Sequence, residues 1–231
     1  MIANQRVSGL SPELPQNNKN NLMNRSDIIN YLIKKYSYST YLEIGLDNPQ
    51  LNFVKIDCSR KFSVDPYFEY DHDEFDAIMD ECLQSQMEEY LTHRMTSDEF
   101  FEKNVMKFDI IFIDGLHTKE QVSKDIINGL KALKPGGKIV VHDCLPKREE
   151  SQKVPRTCCE WNGDIWRAIP ELKKQNINFK TVDADYGCCI IDYTPNSLNS
   201  IDSFENDWND FVNNRDTLMN VISEDDFYRL Y

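Results

Sequence analysis

The sequence has no apolar run approaching the roughly 20 residues that cross a bilayer, so nothing in it reads as a membrane span. Its opening stretch, MIANQRVSGLSPELPQNNKN, lacks the apolar centre of a secretory signal. It contains no C-x-x-C pair, which leaves a structural zinc site without support. Its seven cysteines are Cys58, Cys82, Cys144, Cys158, Cys159, Cys188 and Cys189. An odd number with two vicinal pairs does not suit an extracellular disulfide framework, and free thiols in a reducing cytoplasm are the expectation. Basic residues are in deficit: 26 Lys and Arg against 39 Asp and Glu give a net charge of −13. That balance argues against a nucleic-acid partner, which needs a basic surface, and against an anionic membrane surface. The glycine-rich G-x-G-x-x-G is missing as well, so no glycine-lined cradle for a pyrophosphate is on offer.

What is present suits one α/β domain with attachments. The chain has 231 residues, 40% hydrophobic and 28% charged, enough to bury a core without staples. Residues 1–21 are polar and read as a tail; 22–200 read as the folded domain; 201–231, with Phe204, Trp208, Phe211 and Leu218, read as a C-terminal helical extension. Those aromatics suit core packing or a homodimer contact equally.

Within the domain, apolar runs alternate between helical and strand periodicity. Ser26 can cap a first helix carrying Ile28, Ile29, Leu32 and Ile33. Strands are expected at 40–45, 62–66, 92–97, 108–115 and 138–144, with helices over 67–90, from Asp98, and from Thr118. Thr118 to Gln121 fits a capping box, and Pro135-Gly136-Gly137 is expected to stop that helix. A partly helical stretch follows at 161–174, then a hairpin of 179–184 and 188–194 turning at Asp185-Tyr186-Gly187. This alternation predicts a doubly wound, mostly parallel sheet. Ligands of such sheets sit at the carboxyl ends of the strands.

Those ends are chemically loaded. They carry Glu43 and Gly45, then Asp65, then Asp114 and His117, then His142, Asp143 and Cys144. An acid closing the second strand, about 20 residues past the first turn, suits a ribose diol. With no pyrophosphate cradle, a ligand with ribose but no phosphate fits best, and S-adenosylmethionine is one.

The segments YLEIG, VDP, MTSDEFF, FDIIFIDGLHT, LKPGGKIVVHDC and WNGDIWRAI, in that order over residues 26–194, resemble a class I S-adenosylmethionine-dependent methyltransferase. They are similar to small bacterial members with an IDG-x-H strand end, often found in surface-glycan or secondary-metabolite pathways. The resemblance implies a Rossmann-like, seven-stranded sheet of order 3-2-1-4-5-7-6 with strand 7 antiparallel. It implies that Glu43 and Gly45 line the methionine and ribose region and that Asp65 binds the ribose hydroxyls. Ser97 or Asp98 would lie beside the adenine with Met95 as an apolar neighbour, and Asp114 would face the methyl-transfer centre.

Asp114 and Asp143 end adjacent strands, roughly 4.8 Å apart, and are placed to share one Mg²⁺, as in O-methyltransferases of the catechol type. There an asparagine follows the second acid; here Cys144 stands in its place, and a thiol is a poor Mg²⁺ ligand. Without metal, His117 or His142 is the candidate base. Each has a plainer reading: His117 as a neighbour of the helix start, His142 as a packed strand residue. Trp161 and Trp166 read either as a wall for a sugar or planar substrate or as core. The expected activity is O-methylation of a small hydroxylated acceptor: a sugar, sugar nucleotide or glycan precursor. The alternatives are a hydroxylase-like or nicotinamide oxidoreductase enzyme on the same scaffold, and a non-catalytic cofactor-binding protein.

Overall fold

The first helix, α1 (Arg25–Tyr36), starts one turn of logic earlier than expected. Asn24, not Ser26, is its cap: the Asn24 side chain accepts from the Asp27 N–H and the Asp27 carboxylate accepts from the Asn24 N–H. Asp27 at the third helical position completes a capping box, which Ser26 could not form. Ser26 is instead buried inside the helix, donating to Asn52 Oδ1 at 2.9 Å. The structure, a computed structural model, describes residues 22–67, 74, 77, 88–194, 200, 201 and 207–231. The tail at 1–21 and nearly all of the acidic helix expected over 67–90 lie outside those residues.

The sheet is built from β1 (Thr40–Ile44), β2 (Arg60–Val64), β3 (Glu89–His93), β4 (Phe108–Ile113), β5 (Leu133–Val141), β6 (Phe179–Val182), β7 (Cys188–Asp192) and β8 (Val221–Ile222). Its order is β3-β2-β1-β4-β5-β7-β6-β8. The five strands from β3 to β5 are parallel, and β7 runs antiparallel to both β5 and β6. The expected seven-strand order is therefore present, with an eighth strand added. Alternation along β4 divides the core: Ile110 and Phe112 face a cluster with Ile28 and Leu32 of α1, while Ile111 and Ile113 face Val122, Ile126 and Leu172. Both faces are covered, as a continuous apolar strand requires.

Several boundaries move for identifiable reasons. The third strand ends at His93 because Thr96 is taken as the cap of α2 (Ser97–Lys103), in a full capping box with Glu99. Thr118 caps α3 (Lys119–Ala132) by accepting from the Gln121 N–H, but the Gln121 amide turns away to Ser97, Asp98 and Asp125. Only half of that capping box exists. The helix ends at Ala132, ahead of Pro135-Gly136-Gly137, and those residues fall within β5. Buried Leu133 pairs with Phe108 there, across a register shift. The helix expected from 161 begins late, as a 3₁₀ turn at Ile165–Ala168 and then α4 (Ile169–Lys174). Gly163 holds φ at +64°, where a Cβ would collide with the His117 carbonyl.

The C-terminal segment is not purely helical. Between α5 (Trp208–Leu218) and α6 (Glu224–Leu230) it supplies β8, which pairs in parallel with β6. Phe211 and Phe227 are buried on opposite faces of the sheet, so the aromatics at these two positions pack in the core. No helix among the described residues is long and apolar enough to cross a membrane.

Candidate active site

The carboxyl ends of β1, β2, β4 and β5 open onto a cavity of about 1050 Å³. Glu43, Gly45, Asp65, Ser97, Asp98, Asp114, His117, His142 and Asp143 all line it. Met95 does not: it packs against the core beside α2, and Thr96 and Ser97 take the wall.

The first turn is shaped by backbone crowding. Gly45 has φ +87°, and a Cβ there would lie 2.2 Å from the Asp114 carbonyl oxygen. This glycine is required by the approach of two strand-end loops rather than by the ligand alone. Asp65 braces the same turn. One carboxylate oxygen accepts from the N–H groups of Leu46 at 2.8 Å and Asp47 at 3.1 Å, the other from Tyr67 at 2.8 Å. A carboxylate offers about four lone-pair sites, so roughly one stays open.

Glu43 is buried, accepting from the Tyr41 hydroxyl and from Asn52 Nδ2. Burial pushes its carboxyl up to about 8, aided by the charge of Asp114 and opposed by the two hydrogen bonds and Arg25. At neutral pH it carries a proton.

At the ends of β4 and β5 three carboxylates meet three basic groups. Arg25, from the start of α1, holds Asp114 Oδ2 at 2.6 Å through Nη1 and Asp185 Oδ2 at 2.8 Å through Nε. His142 Nδ1 lies 3.2 Å from Asp114 Oδ1 and 3.4 Å from Asp143 Oδ1. Its Nε2 is buried without a hydrogen-bond partner among the described residues, 3.6 Å from Asp185 Oδ1. His117 places Nε2 3.4 Å from Asp114 Oδ1, and Nδ1 3.1 Å from the Trp161 carbonyl and 3.4 Å from Asp143 Oδ2. Asp143 sits at φ +59°, a conformation unfavourable for a side-chain-bearing residue and typical of functional loops.

The electrostatics follow from this packing. Burial alone would raise Asp114; the charges of His142 and Arg25 and hydrogen bonds from both imidazoles overcome it and hold Asp114 well below the usual range. Burial would lower His142, but Asp114 and Asp143 raise it well above the ordinary value. His117 is also raised, with the hydrogen bond and charge of Asp114 outweighing burial.

Sequence reasoning missed several of these groups. Arg25 and Asp185 are 160 residues apart, and nothing local signals their pairing. Asn162 is buried, donates to Asp143 Oδ1 at 2.6 Å and leaves its own Oδ1 without a partner among the described residues. Near Ser97, the Gln121 amide contacts three acceptors, Ser97, Asp98 and Asp125, with two hydrogens to give. Burial pushes Asp125 up to about 6. Trp166 is core, while Trp161 lines the cavity and stacks on His117 with ring centroids 5.2 Å apart.

Residues 42–144 match a family described as a methyltransferase domain. The matched stretch runs from β1 to just past β5, so it holds Glu43, Asp65, Asp114, His117 and Asp143. Two solved structures share the domain's fold. The O-methyltransferase TomG from Streptomyces achromogenes, in complex with SAM, is 14% identical over 72% of this chain and 78% of its own, with a TM-score of 0.50. The cofactor-bound protein Rv0187 from MTB is 14% identical over 73% and 78%, with a TM-score of 0.53. At these identities the likeness is one of fold. No curated protein matches the chain.

Proposed function

We propose that the methyltransferase domain transfers a methyl group from S-adenosylmethionine to a hydroxyl oxygen of a small acceptor, of the sugar or sugar-nucleotide kind. The observation that carries this reading is the row of acids at adjacent strand ends, Asp65, Glu43 and Asp114, lining one cavity large enough for cofactor and acceptor together. The residues suit the cofactor: Asp65 keeps a lone-pair site for a ribose hydroxyl, Ser97 and Gln121 wall the adenine side, and buried Glu43 faces the methionine end.

S-adenosylmethionine, when bound, supplies a sulfonium-borne methyl carbon that an acceptor oxygen takes by in-line displacement, leaving S-adenosylhomocysteine. The protein must align the acceptor and receive its proton. His117 is placed for the second task. With Nδ1–H donating to the Trp161 carbonyl, Nε2 keeps its lone pair for the acceptor's proton, and Asp114 Oδ1 at 3.4 Å stabilises the resulting imidazolium. His142 is fully buried, and the adjacent Asp114 and Asp143 raise it well above the ordinary value, which favours its imidazolium form. Its part is to offset the negative charge of those carboxylates.

The Mg²⁺ reading has less support. Asp114, His117 and Asp143 do offer one ligand atom each, all within 4.8 Å of one another. Yet Arg25 holds one oxygen of Asp114 and two imidazoles flank the other. Arg25 and His142 already offset much of the charge of the three carboxylates. Mg²⁺ prefers oxygen ligands, and Cys144 turns its thiol to the Val141 and His142 carbonyls.

Calorimetric titration with S-adenosylhomocysteine, in Mg²⁺ and again in EDTA, tests the proposal. Micromolar binding in both buffers, weakened by Asp65→Ala, is the expected result. No binding in either sinks it.

A further inference from the structure

We infer that the acceptor carries an anionic oxygen group, phosphate or carboxylate, which Arg156 receives at the outer wall of the cavity. This deepens the methyltransferase reading and rests on it.

Two guanidinium groups line the cavity, Arg25 and Arg156. Arg25 is fully engaged by Asp114 and Asp185. Arg156 has no carboxylate partner among the described residues. Its Nε donates to the Cys158 carbonyl at 2.9 Å and its Nη2 to the Cys159 carbonyl at 2.6 Å. The guanidinium carbon lies 5.9 Å from the centroid of the Trp161 ring. The cation is thus pinned by main chain and aromatic contact, with its charge unopposed.

The surroundings sharpen the contrast. Glu160, the acid beside it on the cavity wall, is already taken by Arg148 at 2.7 Å and by the Tyr186 hydroxyl. On the same rim Lys147 sits 4.8 Å over the Tyr186 ring, again with no carboxylate partner among the described residues. In a chain of net charge −13, Arg156 and Lys147 thus meet no carboxylate among the described residues, while Glu160 is engaged. An arginine fork held in place is suited to planar, two-point recognition of an oxyanion.

The position fits an acceptor. Trp161 links Arg156 to His117, whose ring it stacks against at 5.2 Å. Trp161 contacts both groups, so a ligand with a hydroxyl at His117 and an anionic oxygen at Arg156 would lie along that indole, as a sugar phosphate can.

The test is calorimetry on the full chain saturated with S-adenosylhomocysteine, titrated separately with inorganic phosphate, inorganic pyrophosphate and malonate. One saturable anion site is expected. Arg156→Ala should weaken it at least about tenfold, the scale of one charge-assisted contact. Arg156→Lys should retain part of it, and Arg229→Ala, the same charge change on α6, should not alter it. Tighter phosphate or pyrophosphate binding assigns a phosphate; tighter malonate binding assigns a carboxylate. Absence of a saturable site, or equal weakening by Arg156→Ala and Arg229→Ala, overturns the inference. Failure of S-adenosylhomocysteine to bind would strike the methyltransferase reading instead, and the two outcomes are read from the same sample.

Discussion

Replacing Glu43 by glutamine should stabilise the protein, and by an amount that grows with pH. The carboxyl is buried beside Tyr41 and Asn52, and burial lifts its folded pKa from 4.5 to about 8. Between those values the folded chain binds more protons than the unfolded chain, so stability falls as pH rises. The contribution is fully present below 4.5 and is lost through about 8. At 1.36 kcal/mol per pH unit, a displacement from 4.5 to about 8 amounts to about 5 kcal/mol. Glutamine keeps the shape, accepts the same two hydrogen bonds and cannot ionise. Urea denaturation of both proteins from about pH 5 to about pH 9 isolates the effect, because the other titrating groups cancel in the difference. The Glu43→Gln curve should diverge upward, by about 3 kcal/mol near neutrality and more above it. Parallel curves would refute the reasoning, since they would mean that Glu43 is charged in the fold at little cost.

Three further outcomes follow from the same geometry. His117→Gln should lower the methyl-transfer rate by about 10² or more; in the parent, the rate should rise with pH through a value above the ordinary 6.5 of imidazole, as a rate–pH profile will check. Arg25→Met leaves Asp114 and Asp185 without their shared partner and should cost about 3–5 kcal/mol in chemical denaturation. EDTA dialysis should leave S-adenosylhomocysteine affinity and methyl transfer unchanged, because Arg25 and His142 already offset much of the charge of the strand-end carboxylates.

The parts of this protein legible in its sequence are those with local signatures. The apolar run of β4, the acids at the ends of β1, β2, β4 and β5, and the spacing from Glu43 to Asp65 all follow from period, burial and turn chemistry. These suffice for a doubly wound parallel sheet and for the charged part of the cavity lining, whereas the strand order follows only from the family resemblance. The parts that stayed hidden depend on distant partners. Arg25 reads as an ordinary basic residue at a helix start until the fold brings Asp114 and Asp185 to it. Asn162 reads as loop until its amide is found on Asp143. The strand β8 has two residues, too few for any alternation to show. Met95 packs on the core, and Thr96 and Ser97 at the start of α2 face the cavity instead. At Gly45 the nearest obstacle to a side chain is the Asp114 backbone rather than a ligand.

The most direct test of the central claim is a crystal structure of the full chain soaked with S-adenosylhomocysteine. The account predicts density along the ends of β1, β2 and β4, with adenine beside Ser97, a ribose hydroxyl on Asp65 and the amino-acid end near Glu43 and Asp114. Density elsewhere on the molecule, or a cavity that stays empty at saturating ligand, would contradict it.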